Sequence, residues 1–143
     1  MSKRPHRFEI ELDPAFSSKT RYYFKEGEIV VEHAQMPHRS AVPTLAQWSG
    51  FWRLCDFLDL WKWKPEYNHF QCRDGQAWSV KIAYDKTKVL NSEGMNSYPS
   101  LESPLHERVS MDRFGLLLHF VDFVLLSPRI DVRDDFADSE SVQ

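Results

Sequence analysis

The chain is poor in the residues that build metal, disulfide and nucleotide sites. Its 143 residues contain two cysteines, Cys55 and Cys72, with no CxxC pair and no HExxH. Structural zinc sites and zinc hydrolases need such close ligand pairs, so no metal is expected. His69 and Cys72 stand three apart, a spacing that puts them on opposite faces of a strand. Cys55 falls in an apolar helical stripe as a small filler. That suits a reducing compartment better than a pairing of the two thiols. The five glycines form neither GxGxxG nor GxxxxGK, so no phosphate-cradling loop is present and no cofactor is expected. Basic excess is absent too. Eighteen Lys and Arg against 21 Asp and Glu give a net charge of −3, which argues against a general nucleic-acid coat. The longest apolar run, Phe114 to Leu126, is broken by His119 and Asp122, too short and too polar for a membrane span. The first residues lack the apolar segment of a secretory signal. A cytoplasmic domain with no membrane contact is expected.

Aromatic residues are abundant: five Trp, five Tyr and ten Phe make 14% of the chain. Such side chains fill cores and populate recognition surfaces. The length suits one α+β domain over residues 1–130, followed by an acidic, flexible tail over 131–143. Asp131, Asp134, Asp135, Asp138 and Glu140 charge that tail, whereas Lys3, Arg4 and Arg7 make the N-terminus basic.

Periodicity predicts the elements. Phe8 to Leu12 alternates as a strand with an acidic outer face, and Tyr22 to Val31 reads as a hairpin turning at Glu26-Gly27. Pro37 to Pro43 reads as a linker. Thr44 with Gln47 three residues on makes a capping box. Leu45, Trp48, Phe51, Trp52, Cys55 and Leu58 continue it as one apolar stripe that fades near Leu60. Tyr67 to Arg73 is expected to pair through Asp74-Gly75 with a strand over Trp78–Tyr84. In that strand Trp78, Val80, Ile82 and Tyr84 face inward and Ser79, Lys81 and Ala83 outward. A third short strand spans Lys88–Asn91. The last helix starts near Ser103 or Ser110 and runs to about Leu126, with Asp112, Gly115, His119 and Asp122 on a polar stripe and most other sides covered. The whole predicts an antiparallel sheet of five to six strands with two helices on one face, in a crude βββα–βββα order.

No convergent catalytic set stands out, and the chain reads as a non-enzyme. His119 and Asp122 lie one turn apart as an oriented base would, but no nucleophile accompanies them. Trp61-Lys62-Trp63-Lys64 interleaves rings and ammonium groups, the texture of a single-stranded nucleic-acid platform. Gly94 to Pro99 reads as a specialised loop. There Gly94 and Asn96 supply positive φ or an anion nest, and Asn96 and Tyr98 supply hydrogen bonds.

Trp48, Phe51 and Trp52, then Trp61 and Trp63, Asp74-Gly75-x-x-Trp78, and Gly94-x-Asn96-x-Tyr98-Pro99 form one pattern across residues 44–126. It resembles small, uncharacterised bacterial proteins with a DGxxW…GxNxYP signature. That resemblance implies an α+β fold and a bacterial or phage-related origin, without an activity. The leading expectation is a non-enzymatic protein-binding module, an accessory, inhibitor or immunity-type protein. Its binding residues would be Trp61, Trp63, Tyr67, Gly94, Asn96 and Tyr98. Placed behind it are a nucleic-acid contact through Trp61–Lys64 and the basic N-terminal arm, and a small-ligand or enzymatic site at Gly94–Pro99.

Overall fold

In the computed structural model, which describes residues 3–14, 18–34, 36–68, 77–95 and 113–126, four strands and a helix are followed by three strands and a second helix. The strands are β1 (Arg7–Asp13), β2 (Thr20–Lys25), β3 (Glu28–His33), β4 (Met36–Ala41), β5 (Glu66–Asn68), β6 (Ala77–Ala83) and β7 (Val89–Met95). Helix α1 spans Leu45–Phe57 and precedes a 3-10 turn over Leu60–Lys62. Helix α2 spans Arg113–Phe120 and widens into a π-helical turn over Val121–Leu125.

The strands form one sheet in the order β4-β3-β2-β1-β6-β7-β5, mixed because β5 lies parallel to β7 while all other neighbours are antiparallel. The α+β class stands, but the described residues form seven strands where five to six were expected, and the sheet is not wholly antiparallel. Two segments account for the difference. The presumed linker contains β4, an edge strand beside β3. Register slips there between Val31 and His33, leaving the extra residue on the β4 side between Met36 and Arg39. A bulged edge accommodates Pro37, which lacks an N–H to donate. The second segment is β5. The central strand β6 already pairs with β1 on one side and β7 on the other, so β5 takes the free edge of β7 instead of pairing with β6. The proposed Asp74-Gly75 turn lies outside the described residues.

Local signals explain the rest. Glu26 (φ 53°) and Gly27 (φ 87°) both take left-handed conformations, the two-residue hairpin turn whose twist matches its strands. Thr44 caps α1 through its hydroxyl, which accepts from the Gln47 N–H at 3.0 Å, while Gln47 Oε1 accepts from the Thr44 N–H at 2.7 Å. Register puts Phe8 opposite Ile82 and Ile10 opposite both Tyr22 and Val80, so these five share the inner face. Trp48 of α1 meets Phe8 edge-on at 6.0 Å, and Phe114 of α2 packs on Trp78 at 4.8 Å. Both helices therefore cover the same face.

The α1 stripe is buried as expected at Trp48, Phe51, Trp52, Cys55 and Leu58. Leu45 is 54% exposed, because the first helical side chain leans past the edge of the core. Trp78, Val80 and Ile82 point inward, while Tyr84 sits just past the strand with its ring edge on Trp52. Ser79 and Lys81 lie outward and half-buried. Ala83 is buried, its methyl flanked in register by Arg7 and Val89. On helix α2 Phe114 and Leu117 are buried and His119, on the expected polar stripe, is exposed, but the helix is less enclosed than expected at Phe123, which is 66% exposed. Ser103, Ser110 and Asp112 lie outside the described residues. Among those described, no helix is long and apolar enough to cross a membrane.

The capping glutamine has a second task. Leu126 N–H donates to Val121 O, five residues back, so the helix is wider here. Gln47 Nε2 donates to Val124 O at 2.8 Å and ties the two helices together. Gln47→Glu keeps the acceptor but turns a carboxylate toward that carbonyl. It should cost about 1–2 kcal/mol at neutral pH, with recovery on acidification as the protonated acid regains a donor. Thr44→Ala should cost about 1 kcal/mol with no such pH dependence. Denaturant melts of both variants at two pH values check this.

Candidate functional site

The expected aromatic site is distributed between core and surface. The chain from Leu60 to Lys62 coils as a 3-10 turn, so Trp61 and Trp63 do not alternate along an extended strand. Trp63 is buried and its indole N–H donates to Leu58 O at 3.1 Å. Trp61 is half-buried, stacked on Trp52 at 6.3 Å, and donates to Asp56 Oδ1. Tyr67 is half-buried against Trp78, and its hydroxyl accepts from the Lys64 N–H at 2.9 Å. Trp61 and Tyr67 thus keep part of their rings at the surface.

Gly94 is not a loop residue. It lies within β7, opposite Trp78 on β6 and Tyr67 on β5, and it has no left-handed φ. A Cβ built on it would stand 2.6 Å from Trp78 Nε1 and 2.6 Å from Tyr67 O. Close approach of an indole and a neighbouring strand is what requires glycine here. Asn96, Tyr98 and Pro99 lie outside the described residues, as do His69 and Cys72.

The other reactive groups are committed to structure. Burial pushes the Cys55 thiol well above its ordinary value, which suppresses the nucleophilic thiolate. Asp122 does not orient His119. It accepts from Tyr22 Oη at 3.0 Å and faces Arg39 at 3.9 Å, while His119 packs on the Phe123 ring. Burial, and then the Asp122 charge, raise the Tyr22 hydroxyl above the usual phenol range. Among the described residues, no group of three or more His, Cys, Asp or Glu could hold a metal ion.

Asp85 shapes the β6–β7 turn. Its Oδ1 accepts from the Lys88 N–H, the Thr87 hydroxyl and the Thr87 N–H, and these bonds lower its pKa to about 2. A carboxyl depressed in the folded state stabilises above its ordinary value of 3.8, and that contribution fades as pH falls through about 2. Asp85→Asn should flatten this part of the acid limb, measured as melting temperature against pH.

The outer face of the sheet carries an ordered charge lattice. Arg21 on β2 reaches Glu9 at 3.1 Å, Glu11 at 3.7 Å and Glu32 at 3.9 Å. Its guanidinium lies 4.3 Å from the centre of the Tyr23 ring, and Tyr23 Oη donates to Glu32 at 2.7 Å. Arg7 joins Glu9, and Lys19 joins Glu11 at 3.0 Å. Exposed pairs are worth at most about 1 kcal/mol each. Together they set alternating charges in register across β1, β2 and β3. An open recess of about 300 Å³ adjoins the lattice beside Glu11, Asp13, Lys19 and Lys81, and it shares Glu93 with another of about 540 Å³ beside Lys64, Glu66 and Asn91.

Compared with known proteins, the chain matches no family model, no curated protein and no solved structure. Any functional reading therefore rests on the surfaces themselves. Glu9 and Glu11 are legible in the sequence as the acidic outer face of a strand. The Arg21 lattice needs the cross-strand register of Glu9 with Tyr23 and Glu11 with Arg21, which no single strand reveals.

Proposed function

We propose that this chain is a non-enzymatic protein-binding module, an accessory, inhibitor or immunity-type protein of a bacterial or phage system, acting in the cytoplasm. Its partner docks on the outer face of the sheet. One observation carries the reading: both helices pack on the inner face, while the outer one bears the Arg21 lattice and the two recesses about Glu93. A rigid sheet keeps the surface in register. The recesses offer relief into which partner side chains fit. Lys81, opposite Glu9 and Asn91 in register, lies at the centre of this face.

The test is co-purification of the full chain from its native host with mass spectrometry, comparing wild type with Lys81→Glu and His119→Ser. Lys81→Glu should lose the partner while lowering the melting temperature only slightly, through the carboxylate it sets opposite Glu9, and His119→Ser on the helical side should retain it. Recovery of no partner, with a monomeric profile at all concentrations, would sink the reading. So would a partner that Lys81→Glu holds as well as wild type.

A further inference from the structure

Three separate segments of the chain converge on Trp52. Its indole N–H donates to Lys3 O at 2.7 Å, which anchors the N-terminal arm. Trp61 lies nearly parallel to it, with 27° between the planes, and Tyr84 meets it edge-on at 4.9 Å. The Lys3 ammonium sits 4.5 Å from the Tyr84 ring centre. Asp56, on the last turn of α1, accepts from Trp61 Nε1 at 3.1 Å and faces Lys88 Nζ at 3.8 Å. The arm, the end of α1 with its 3-10 turn, and the β6–β7 turn thus form one pole of the molecule.

That pole is basic. Lys3, Arg4, Arg53, Lys62, Lys86 and Lys88 belong to these segments, against Asp56, Asp59 and Asp85. Asp56 is ion-paired with Lys88, and the ionised Asp85 and Asp59 are outnumbered by the other five cations. The net charge of −3 does not describe this region. Residues 131–143 hold five acidic side chains and one arginine, which accounts for more than the whole deficit and leaves the rest of the chain at +1. At physiological salt a charge is felt over about 8 Å, so the local excess decides what approaches this surface.

We propose that this pole is a second binding site, independent of the outer sheet face, and that its ligand is a single-stranded nucleic acid. Lys3, Arg4, Arg53, Lys62 and Lys86 supply phosphate contacts, while Lys88 is paired with Asp56. The half-buried Trp61, backed by Trp52 and fixed by its bond to Asp56, supplies a flat, rigid surface on which a base stacks. Phe57, 69% exposed one turn past Arg53, offers a second ring. An acidic peptide would satisfy the cations but leave these rings without partners. A duplex would hide its base faces from them. The interleaved rings and lysines of Trp61–Lys64 suggest such a contact from the sequence. The fold changes its membership, withdrawing Trp63 into the core and adding Arg53 and Lys86.

Fluorescence anisotropy of a labelled oligothymidylate with the full chain tests the proposal. Binding is expected at low salt, weakening with a slope of log affinity on log salt of about −0.7 per phosphate neutralised. Tryptophan emission should quench on stacking. Lys62 and Lys86 are exposed, so K62E/K86E should melt like wild type yet bind at least about tenfold more weakly. A46E, on the exposed first turn of α1 about three turns from that pole, should bind within about twofold of wild type. Absence of binding at low salt would overturn the proposal, as would equal binding by K62E/K86E. Competition by polyglutamate as effective as by unlabelled oligothymidylate of equal charge would also overturn it and assign the pole to an acidic protein segment. None of these readouts depends on Lys81 or the outer sheet face.

Discussion

Trp78→Ala should destabilise the domain by about 3–5 kcal/mol, the cost of emptying a large core site that cannot fully collapse. Trp78 is 3% exposed and lies between Phe114 of α2, at 4.8 Å, and Tyr67 of β5, at 5.9 Å. Its loss opens a gap between sheet and helix where neither side can move without breaking other contacts. Lys81→Ala, three residues on and on the other face, should leave stability within about 0.5 kcal/mol. Urea melts of the two variants check the contrast. A thermally silent Trp78→Ala would mean that inner and outer faces are exchanged throughout β6, because side chains alternate strictly.

Gly94→Ala should cost about 3 kcal/mol, at the upper end for an overpacked site. The added methyl collides on both sides. The indole of Trp78 could shift, but Tyr67 O is backbone held by the pairing of β5 with β7. The two mutations should therefore couple without cancelling. In a Trp78→Ala background the Gly94→Ala penalty should fall by about 1 kcal/mol, since one collision is gone and the other remains. Full additivity would show that the methyl never meets the indole. Complete rescue would show that β5 yields freely.

Elements carried by local chemistry were legible in the sequence. The alternation of Phe8 to Leu12, the Glu26-Gly27 turn, the Thr44–Gln47 box and the Trp48–Leu58 stripe each act within a few residues, so the sequence displays them directly. Two strands were not legible because they depend on distant partners. Met36 to Ala41 has no alternation and a proline, and it is a strand because β3 offers an edge. The strand near Tyr67 was expected, but its neighbour was chosen by the occupancy of β6, a property of the whole sheet. Gly94 was noticed for the right residue and the wrong reason, since crowding by Trp78 and Tyr67 is invisible without the register. The surfaces show the same division. Rings and lysines at 61–64 were conspicuous, whereas the Lys3–Trp52–Tyr84 convergence joins residues 81 positions apart.

The place of β5 has a consequence for the order of assembly. It precedes β6 in the chain yet rests only on β7, the last strand to be made. Its three residues therefore have no template until the β6–β7 hairpin has formed and docked on β1. Such non-local, parallel closure comes late, after loop entropy has been lost elsewhere. What β5 secures on arrival is the Tyr67 ring against Trp78, the Pro65 carbonyl for the Glu93 N–H and the Lys64 carbonyl for the buried Ser92 hydroxyl. β5 covers the Glu93–Met95 end of the β7 edge, and this cover is expected to form late in folding. It is expected to reopen early in unfolding, which amide exchange at Glu66–Asn68 faster than at β1 and β6 would register. An open β7 edge is one to which another chain can pair.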